Sequence, residues 1–380
     1  MFINYCYLTS LLTYKMKYIN QFLIWAIGSL FIFSGAIKIN DPVGTAIKLE
    51  EYFDVFSTDF TPLFHVFTPY ALYLAIFLCA FEIILGVALL VNYKRPTVIV
   101  SLLAMIVFFT FLTFYSAYYN KVTDCGCFGT VIKLTPWQSF SKDIALLLPL
   151  LLLTFQLKAF QPKRYTKKST LPFAITLLST VLSFGAGIYA YLHLPFVDTS
   201  DYKVGNHIPT LMKPQEPCQY KYIMTKDGKE YEFDVYPTDT TYVYKSLLTL
   251  NPEKCNAKIT DYSIWNDSTN YTEQSFKGNQ LIVVIQNVDK ASTANLPAMV
   301  ALCKEVKNVE KVVFTASLQD EYKKFAAAHG ITLPFYYGDG KVLKTMVRAN
   351  PAVILLRNGV VVGKWHHNDT PTAAEIQKLL

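Results

Sequence analysis

The chain changes character near Pro195, where an apolar half gives way to a polar half. Five runs before Pro195 have Leu, Ile, Val or Phe at most positions and carry few charges. They lack the polar stripe that a helix on the surface of a soluble protein shows. A membrane-spanning helix needs about 20 mostly apolar residues. The pattern therefore predicts five membrane-spanning helices, at residues 21–39, 69–91, 97–118, 139–157 and 171–194.

The polar half begins with Tyr-rich sequence and continues as an alternation of strands and helices. Two short runs flank the turn residues Asp227-Gly228 and predict a hairpin over residues 220–235. From Asn279 onward, apolar runs predict strands at residues 281–285, 311–314, 352–356 and 360–365. Helices are predicted at residues 294–307, 319–329 and 372–380.

These elements predict a multi-domain chain, in which a five-helix α-helical transmembrane bundle is followed by an extramembrane α/β domain. The predicted divisions are a tail at residues 1–18, the transmembrane domain at 19–195, a β-rich connecting region at 196–277 and the α/β domain at 278–380. The sequence leaves open whether translation starts at Met1 or at Met16, because Met16-Lys17-Tyr18 is typical of the start of a membrane protein.

Charge indicates how the bundle is oriented. The 380 residues carry a net charge of +7, and only 17% of them are charged. Short connections rich in Lys and Arg stay in the cytoplasm. Here they are the N-terminal tail, the connection after the second helix and the one after the fourth, whereas the first connection is acidic. This predicts a protein of the bacterial inner membrane with a cytoplasmic N-terminus and a periplasmic C-terminal domain. No basic stripe interleaved with aromatics indicates nucleic-acid binding.

The segment Asp124-Cys125-Gly126-Cys127 lies between the third and fourth predicted helices, on the outer side. Two cysteines one residue apart can form a strained disulfide, which is a good oxidant, and Gly126 permits the unusual backbone that this ring needs. Lys121 would lower a thiol pKa and Asp124 would raise it. The alternatives are metal binding and a structural pair, although two thiols alone do not make a four-ligand zinc site.

Three of the four charged residues within the predicted helices call for an interpretation. Glu82 is near the middle of the second helix, where a carboxylate is costly to bury and indicates a functional site such as a proton relay. The alternative is a protonated glutamate hydrogen-bonded between helices. Lys38 and Asp143 lie near helix ends, where we expect them to reach the membrane–water interface without a special role.

Cys218 and Cys255 flank the predicted hairpin, so they are candidates for a structural disulfide outside the cytoplasm. Pairing between chains and exchange with Cys125 or Cys127 are alternatives. Cys303 lies in a predicted helix and is expected in the core. His366 and His367 are adjacent on a strand and are expected at the surface, pointing to opposite faces, so no metal site is predicted there.

The run Cys125-Gly126-Cys127-Phe128-Gly129 after a third membrane helix resembles the MauE family, a branch of the DoxX-like membrane proteins. The resemblance covers roughly residues 20–160 and is also carried by Ser34-Gly35-Ala36-Ile37-Lys38 before Asp41-Pro42, and by the apolar run around Glu82. It implies a four-helix redox module that assists disulfide formation in exported proteins. Relatives of the DoxX type imply a quinone as electron acceptor.

The polar half resembles the thioredoxin fold from Asn279 onward. Asn350-Pro351 before the strand at 352–356 corresponds to the position of the cis-proline in thioredoxin-like proteins. The Cys-x-x-Cys motif of that family should lie near residues 288–293, which here read Val-Asp-Lys-Ala-Ser-Thr. The resemblance therefore implies a thioredoxin-like domain without the redox motif.

The leading hypothesis is a membrane-bound thiol–disulfide oxidoreductase that assists the maturation of exported proteins. Cys125 and Cys127 would form its redox pair, thiols of exported proteins its substrates, and the lipid bilayer its surroundings. Oxidation and reduction fit the residues equally well. The alternative is a non-catalytic assembly or binding protein whose thioredoxin-like domain docks a partner. A transporter is disfavoured, because five helices without an evident inverted repeat lack the usual sequence pattern.

Overall fold

A computed structural model describes the backbone of residues 2–122, 129, 134–157 and 170–380, and the side chains from Met16 onward within these ranges except that of Glu253. The chain separates into two compact units, Met1–Val197 and Asp198–Leu380.

The described residues of the first unit form helices joined by turns and irregular connections. Its α-helices are α1 (Phe2–Asn40), α2 (Pro42–Asp59), α3 (Ala71–Leu90), α4 (Arg95–Tyr119), α5 (Pro136–Phe155) and α6 (Thr170–Leu192), with a 3₁₀ segment at Pro62–Tyr70 before α3. Five helical stretches are long and apolar enough to cross a membrane, namely Met16–Asn40, Pro62–Leu90, Arg95–Tyr119, Pro136–Phe155 and Thr170–Leu192. The predicted membrane helices are therefore confirmed as apolar helices of spanning length.

Local sequence explains where several of these helices begin. Pro42 and Pro136 each occupy a first helical position, where a missing backbone N–H costs nothing. The Thr135 hydroxyl accepts a hydrogen bond from the backbone N–H of Gln138, and the Gln138 side chain accepts one from the backbone N–H of Thr135. This capping box fixes the start of α5.

Small residues allow α1 and α3 to pack closely. A Cβ atom added to Gly86 would lie 2.7 Å from the carbonyl oxygen of Gly28 on the facing helix. One added to Gly35 would lie 2.9 Å from the carbonyl oxygen of Cys79. Close backbone approach of this kind gives helices in lipid the packing that the hydrophobic effect cannot supply there.

Helix α2 lies in the connection that the sequence analysis treated only as an acidic loop. Its buried residues Ala46, Leu49, Tyr52 and Phe56 recur at helical spacing and form one face. Ala46 and Leu49 pack with the start of α3, whereas Tyr52 and Phe56 pack with the end of α4. The acidic residues occupy the rest of the helix surface, which is why their charge concealed an amphipathic pattern.

The second unit contains two β-sheets with short helices between the strands. The smaller sheet consists of β1 (Tyr220–Lys226), β2 (Lys229–Phe233) and β3 (Val243–Thr249) in the order β2-β1-β3, preceded by α7 (Ile208–Leu211) and followed by α8 (Pro252–Cys255). The predicted hairpin is confirmed as the antiparallel pair β1 and β2. The strand β3 was not predicted.

The larger sheet is mixed. Its strands are β4 (Ile264–Trp265), β5 (Asn279–Ile285), β6 (Glu310–Thr315), β7 (Phe335–Gly338), β8 (Ala352–Arg357) and β9 (Val360–His366), in the order β4-β7-β6-β5-β8-β9. The pairs β5–β6 and β6–β7 are parallel, whereas β8 runs antiparallel to both β5 and β9. The predicted α/β character of this region is therefore confirmed.

Four helices pack with the larger sheet or connect its strands, namely α9 (Leu296–Glu305), α10 (Gln319–His329), α11 (Gly340–Met346) and α12 (Ala373–Leu379). The apolar faces of α9, α10 and α12 meet alternate residues of β5, among them Leu281, Val283 and Ile285, in one hydrophobic core. The strand β7 and the helix α11 were not predicted, since both are short and β7 is aromatic rather than aliphatic.

Candidate functional site

Cys125 and Cys127 lie outside the residues that the structure describes, but both flanks of their segment are described. Val122 is buried in a cluster with Tyr52, Phe56, Leu112 and Tyr115. On the other side, a Cβ atom added to Gly129 would lie 3.4 Å from Cγ2 of Ile37, near the end of α1. Gly129 has a φ of +55°, which glycine adopts without strain. The cysteine segment therefore starts and ends on packed residues of the helical unit.

A carboxylate lies beside the first of these flanks. The Tyr115 hydroxyl donates to Oδ2 of Asp59 at 2.5 Å, and the Lys121 ammonium lies 3.4 Å from Oδ1. The hydrogen bond from Tyr115, with the nearby charge of Lys121, holds the pKa of Asp59 below its ordinary value. Lys121, which the sequence analysis considered as a cation for a thiolate, therefore has a carboxylate partner.

Glu82 and Lys38 form an ion pair inside the bundle. Their side chains are only 2% and 9% exposed, and the Lys38 ammonium also lies 5.1 Å from the centre of the Phe109 ring on α4. The expectation that Lys38 reaches the interface is wrong, because α2 follows α1 directly and its residue Thr45 lies within hydrogen-bonding reach of Cys79, one turn from Glu82. The second carboxylate oxygen of Glu82 accepts no hydrogen bond from the described residues.

Asp143 is a second buried carboxylate. It is fully buried on α5 and accepts hydrogen bonds from the Thr113 hydroxyl at 2.9 Å and from the Lys142 ammonium at 2.5 Å. The expectation that Asp143 reaches the interface is therefore also wrong, since α4 packs over it. Thr113 is one helical turn from Phe109, so the same side of α4 meets Lys38 and Asp143.

In the second unit, a disulfide joins Cys218 and Cys255, which are 37 residues apart. Cys218 precedes β1, and Cys255 is the last residue of α8, which follows β3. The disulfide therefore joins the two ends of the chain segment that forms the smaller sheet. Cys303 is buried in the core of the larger sheet, and burial raises the pKa of its thiol to about 11. Such a thiol is largely protonated at neutral pH and is a poor nucleophile.

Pro351 follows a cis peptide bond after Asn350. The Asn350 carbonyl oxygen accepts a hydrogen bond from the backbone N–H of Ser292 at 2.9 Å, and its side-chain amide donates to the Asn287 carbonyl oxygen at 2.7 Å. The structure thus places Pro351 beside the segment 288–293, where Val288–Lys290 forms a 3₁₀ turn.

The two adjacent histidines differ from the expectation. His366 is buried, and its ring centre lies 3.9 Å from that of His367. The opposite-face argument fails because β9 ends at His366 and a 3₁₀ turn begins at His367. Burial lowers the pKa of His367, whose ring lies 3.2 Å from the Pro351 carbonyl oxygen.

Comparison with known proteins bears on the first unit. Residues 16–156 match the family model described as methylamine utilisation protein MauE. The match runs from α1 to the end of α5 and covers less than half of the chain, so it includes the cysteine segment and both buried carboxylates but not α6 or the second unit. No curated protein and no solved structure matches the chain.

The MauE match places Glu82, Lys38, Asp59 and Asp143 within one family region, although their partners were not foreseen from the sequence. Glu82 was singled out because it is a carboxylate in an apolar run. The pairing with Lys38 could not be found in the same way, because it depends on how α1 and α3 are aligned.

Proposed function

We propose that the protein is a membrane-bound thiol–disulfide oxidoreductase in which Cys125 and Cys127 form the redox pair. The observation that carries this proposal is that the described residues on either side of the two cysteines both lie against the helical unit. Val122 is packed against the end of α4, and Gly129 lies against Ile37 of α1. Two thiols separated by one residue can alternate between a dithiol and a disulfide.

The proposed reaction oxidises thiols of exported proteins. A substrate thiolate attacks the Cys125–Cys127 disulfide and forms a mixed disulfide. A second thiolate of the substrate then attacks the substrate sulfur of this mixed disulfide and displaces the cysteine thiolate, so that the substrate gains a disulfide and two electrons pass to the cysteine pair. Reoxidation passes two electrons and two protons to a quinone in the membrane, which becomes a quinol. The Cys218–Cys255 disulfide supports this direction, because such bonds persist in oxidising compartments such as the periplasm.

Glu82 would serve as a proton relay for reoxidation. It is a buried carboxylate with one oxygen paired with Lys38 and one without a described hydrogen-bond donor, so it can take up a proton without leaving its place. Glu82→Gln keeps the size of the side chain but removes the exchangeable charge. We expect this variant to accumulate the reduced cysteine pair in cells, whereas Glu50→Gln on the partly exposed surface of α2 should not.

The second unit would present substrate proteins without exchanging electrons itself. We infer a thioredoxin-like fold for residues 278–380 from the unit β5-α9-β6, followed by the antiparallel pair β8 and β9 and the helix α12. Segment 288–293 contains no cysteine, and Cys303 is buried. The redox chemistry is therefore assigned to the membrane cysteines alone.

The decisive measurement is the redox state of the cysteines in intact cells. Alkylation with a mass-shifting maleimide after acid quenching counts the free thiols, and comparison with Cys125→Ser/Cys127→Ser isolates the contribution of the pair. We expect that contribution to alternate between zero and two free thiols when cells are treated with oxidant and reductant. A pair that stays in one state, in a strain whose exported proteins have normal disulfides, would remove the proposal.

One observation favours a second candidate, a non-catalytic assembly protein. The second unit offers a mixed sheet without an exposed free cysteine among its residues. In that case Cys125 and Cys127 would form a permanent structural disulfide. The variant Cys125→Ser/Cys127→Ser would then keep full function as long as the protein accumulates normally. A reporter fused after Leu380 tests both candidates, since each requires the second unit to lie outside the cytoplasm.

A further inference from the structure

The 3₁₀ segment Pro62–Tyr70 exposes apolar side chains that no described residue of the helical unit covers. None of its nine residues is buried, and Leu63 and Tyr70 are 64% and 57% exposed. Val66 and Phe67 are exposed as well. Exposed apolar side chains concentrated on one short segment, in which His65 is the exposed polar residue, indicate a binding surface.

The length of the following helix shows where this segment lies. α3 has 20 residues and is about 30 Å long, which is enough to cross the apolar core of a bilayer. Adding nine 3₁₀ residues would give roughly 48 Å, and even a tilt of about 40° would leave this well above the thickness of the core. Pro62–Tyr70 therefore lies at the boundary of the apolar core and not inside it.

Exposed apolar side chains are found on the spanning helix as well as on the segment. Tyr73 and Phe77, in the first and second turns of α3, are exposed in the same unit. Apolar side chains are thus exposed both on a helix of spanning length and on the segment that precedes it, which supports lipid as their neighbour.

The preceding helix, α2, has an acidic surface, unlike the apolar 3₁₀ segment. α2 carries Glu50, Glu51, Asp54 and Asp59 against the single cation Lys48. Asp54 and Thr58 are exposed. The hairpin of α2 and the 3₁₀ segment therefore has one acidic edge suited to water and one apolar edge.

We propose that Pro62–Tyr70 inserts into the headgroup–acyl boundary of the leaflet in which α1 and α4 end, and that it anchors α2 over the end of α4. Tyr, Phe and aliphatic side chains are typical of this boundary. Phe64 contacts Phe56 with ring centres 5.4 Å apart, and Phe56 contacts Tyr115 at 5.2 Å. The inserted segment is thereby linked to the cluster that holds Val122.

Because α2 is acidic, the anchor is apolar and does not require anionic lipid. A basic amphipathic helix would instead need negative headgroups. We therefore expect the segment to insert equally well into nanodiscs of phosphatidylcholine and into nanodiscs in which roughly one-third of the lipid is phosphatidylglycerol. The yields of lipid adducts in the crosslinking experiment below should then be roughly equal in the two.

Site-specific photocrosslinking of the full chain tests the proposal. p-Benzoylphenylalanine replaces Leu63 or Phe67 in the test variants and Thr58 in the matched control, and adducts are identified by mass spectrometry of the nanodisc-bound protein. We expect lipid adducts at both test positions and at least several-fold fewer at Thr58. Adducts to a second copy of the chain, or equal lipid adducts at Thr58, would overturn the proposal.

A test variant that fails to fold is recognised because it no longer elutes as a monodisperse peak in size-exclusion chromatography. In that case the variant Leu63→Trp is used in place of the photocrosslinking variants. Its additional fluorescence should be quenched by lipids brominated near the headgroup more than by lipids brominated near the chain end. Quenching only by a water-soluble agent would overturn the proposal. Neither result depends on whether Cys125 and Cys127 are redox-active.

Discussion

Lys38 and Glu82 form an ion pair that joins α1 to α3 inside the helical unit, although 44 residues separate them in the chain. Both side chains are almost fully buried, and Gly35 on α1 lies close to Cys79 and Glu82 on α3, which brings the two helices together at this level. Removing two charges from water is costly, so the pair is stable only as long as both partners are present.

Removal of one partner should therefore destabilise the bundle strongly. We expect Lys38→Met to cost about 3–5 kcal/mol, because it leaves the Glu82 carboxylate buried without its cation. Glu82→Gln should cost less than Lys38→Met, since the glutamine amide oxygen can still accept a hydrogen bond from the Lys38 ammonium. Thermal unfolding in detergent measures both.

The double variant Lys38→Met/Glu82→Gln provides the control for this pair. Because it leaves no uncompensated charge, its loss of stability should be smaller than the sum of the two single losses. Strictly additive losses would mean that the two side chains do not interact.

Close packing of α1 on α3 predicts a second stability effect. Gly86→Ala places a Cβ atom 2.7 Å from the Gly28 carbonyl oxygen, which is backbone and cannot move away by a rotamer change. We expect a loss of about 1–3 kcal/mol from this overpacking, measured by thermal unfolding. Gly185→Ala on α6 is the matched control, because an added Cβ there has no neighbour within 4 Å. Equal effects at the two positions would contradict the close approach of α1 and α3.

The disulfide between Cys218 and Cys255 should stabilise the second unit. It closes a loop over a separation of 37 residues, and loss of such a cross-link typically costs about 2–4 kcal/mol. We expect reductant to lower the Tm of the full chain, and to have no such effect on Cys218→Ser/Cys255→Ser. A variant whose Tm still falls in reductant would show that another disulfide is responsible.

The ion pair of Asp198 with Lys364 predicts a dependence of stability on pH. Burial alone would raise the pKa of Asp198, but the Lys364 ammonium at 2.6 Å and the hydrogen bond from Ser200 hold it below the ordinary value of 3.8. A carboxyl whose pKa is lower in the folded state stabilises that state above the unfolded pKa. This contribution is lost as the pH falls through the folded pKa.

Asp198→Asn should therefore lower the free energy of unfolding of the second unit by about 2 kcal/mol at neutral pH. The difference from the unsubstituted chain should persist down to about pH 4 and shrink below it. Urea unfolding at a series of pH values measures this difference. A difference that is constant between pH 7 and pH 3 would contradict the assigned pair.

Periodic patterns in the sequence identified most regular elements. The spanning helices are mostly apolar over about 20 residues, and β5 contains the buried aliphatic run at residues 281–285. The helix Gln319–His329 has the predicted bounds, because it is followed by Gly330 in a left-handed conformation, which ends a helix.

Elements without a strong pattern were missed. β4 has two residues and joins the sheet only through its pairing with β7, which itself was not predicted. Helix α2 has an amphipathic pattern, but its buried face includes Ala46 and Tyr52 as well as aliphatic residues, and the many carboxylates in the same stretch resemble a solvent-exposed connection.

The candidate site was found only in part for the same reason. Cys125, Cys127 and Glu82 stand out because each is chemically unusual in its local sequence. Asp59 and Asp143 do not, because an acidic residue near a helix end is ordinary. Their role in the bundle depends on contacts with Tyr115 and Thr113, which come from another helix.

The sequence by itself determined the division into a membrane half and an α/β half, since the solvent that each segment prefers follows from its own side chains. Only the tertiary structure decided which charges meet inside the bundle, that α2 packs over the end of α4 and that Cys218 pairs with Cys255. These relationships join residues far apart in the chain, and the crossing of helices and the register of strands set the distances between them. No local pattern of apolar and polar residues contains that information.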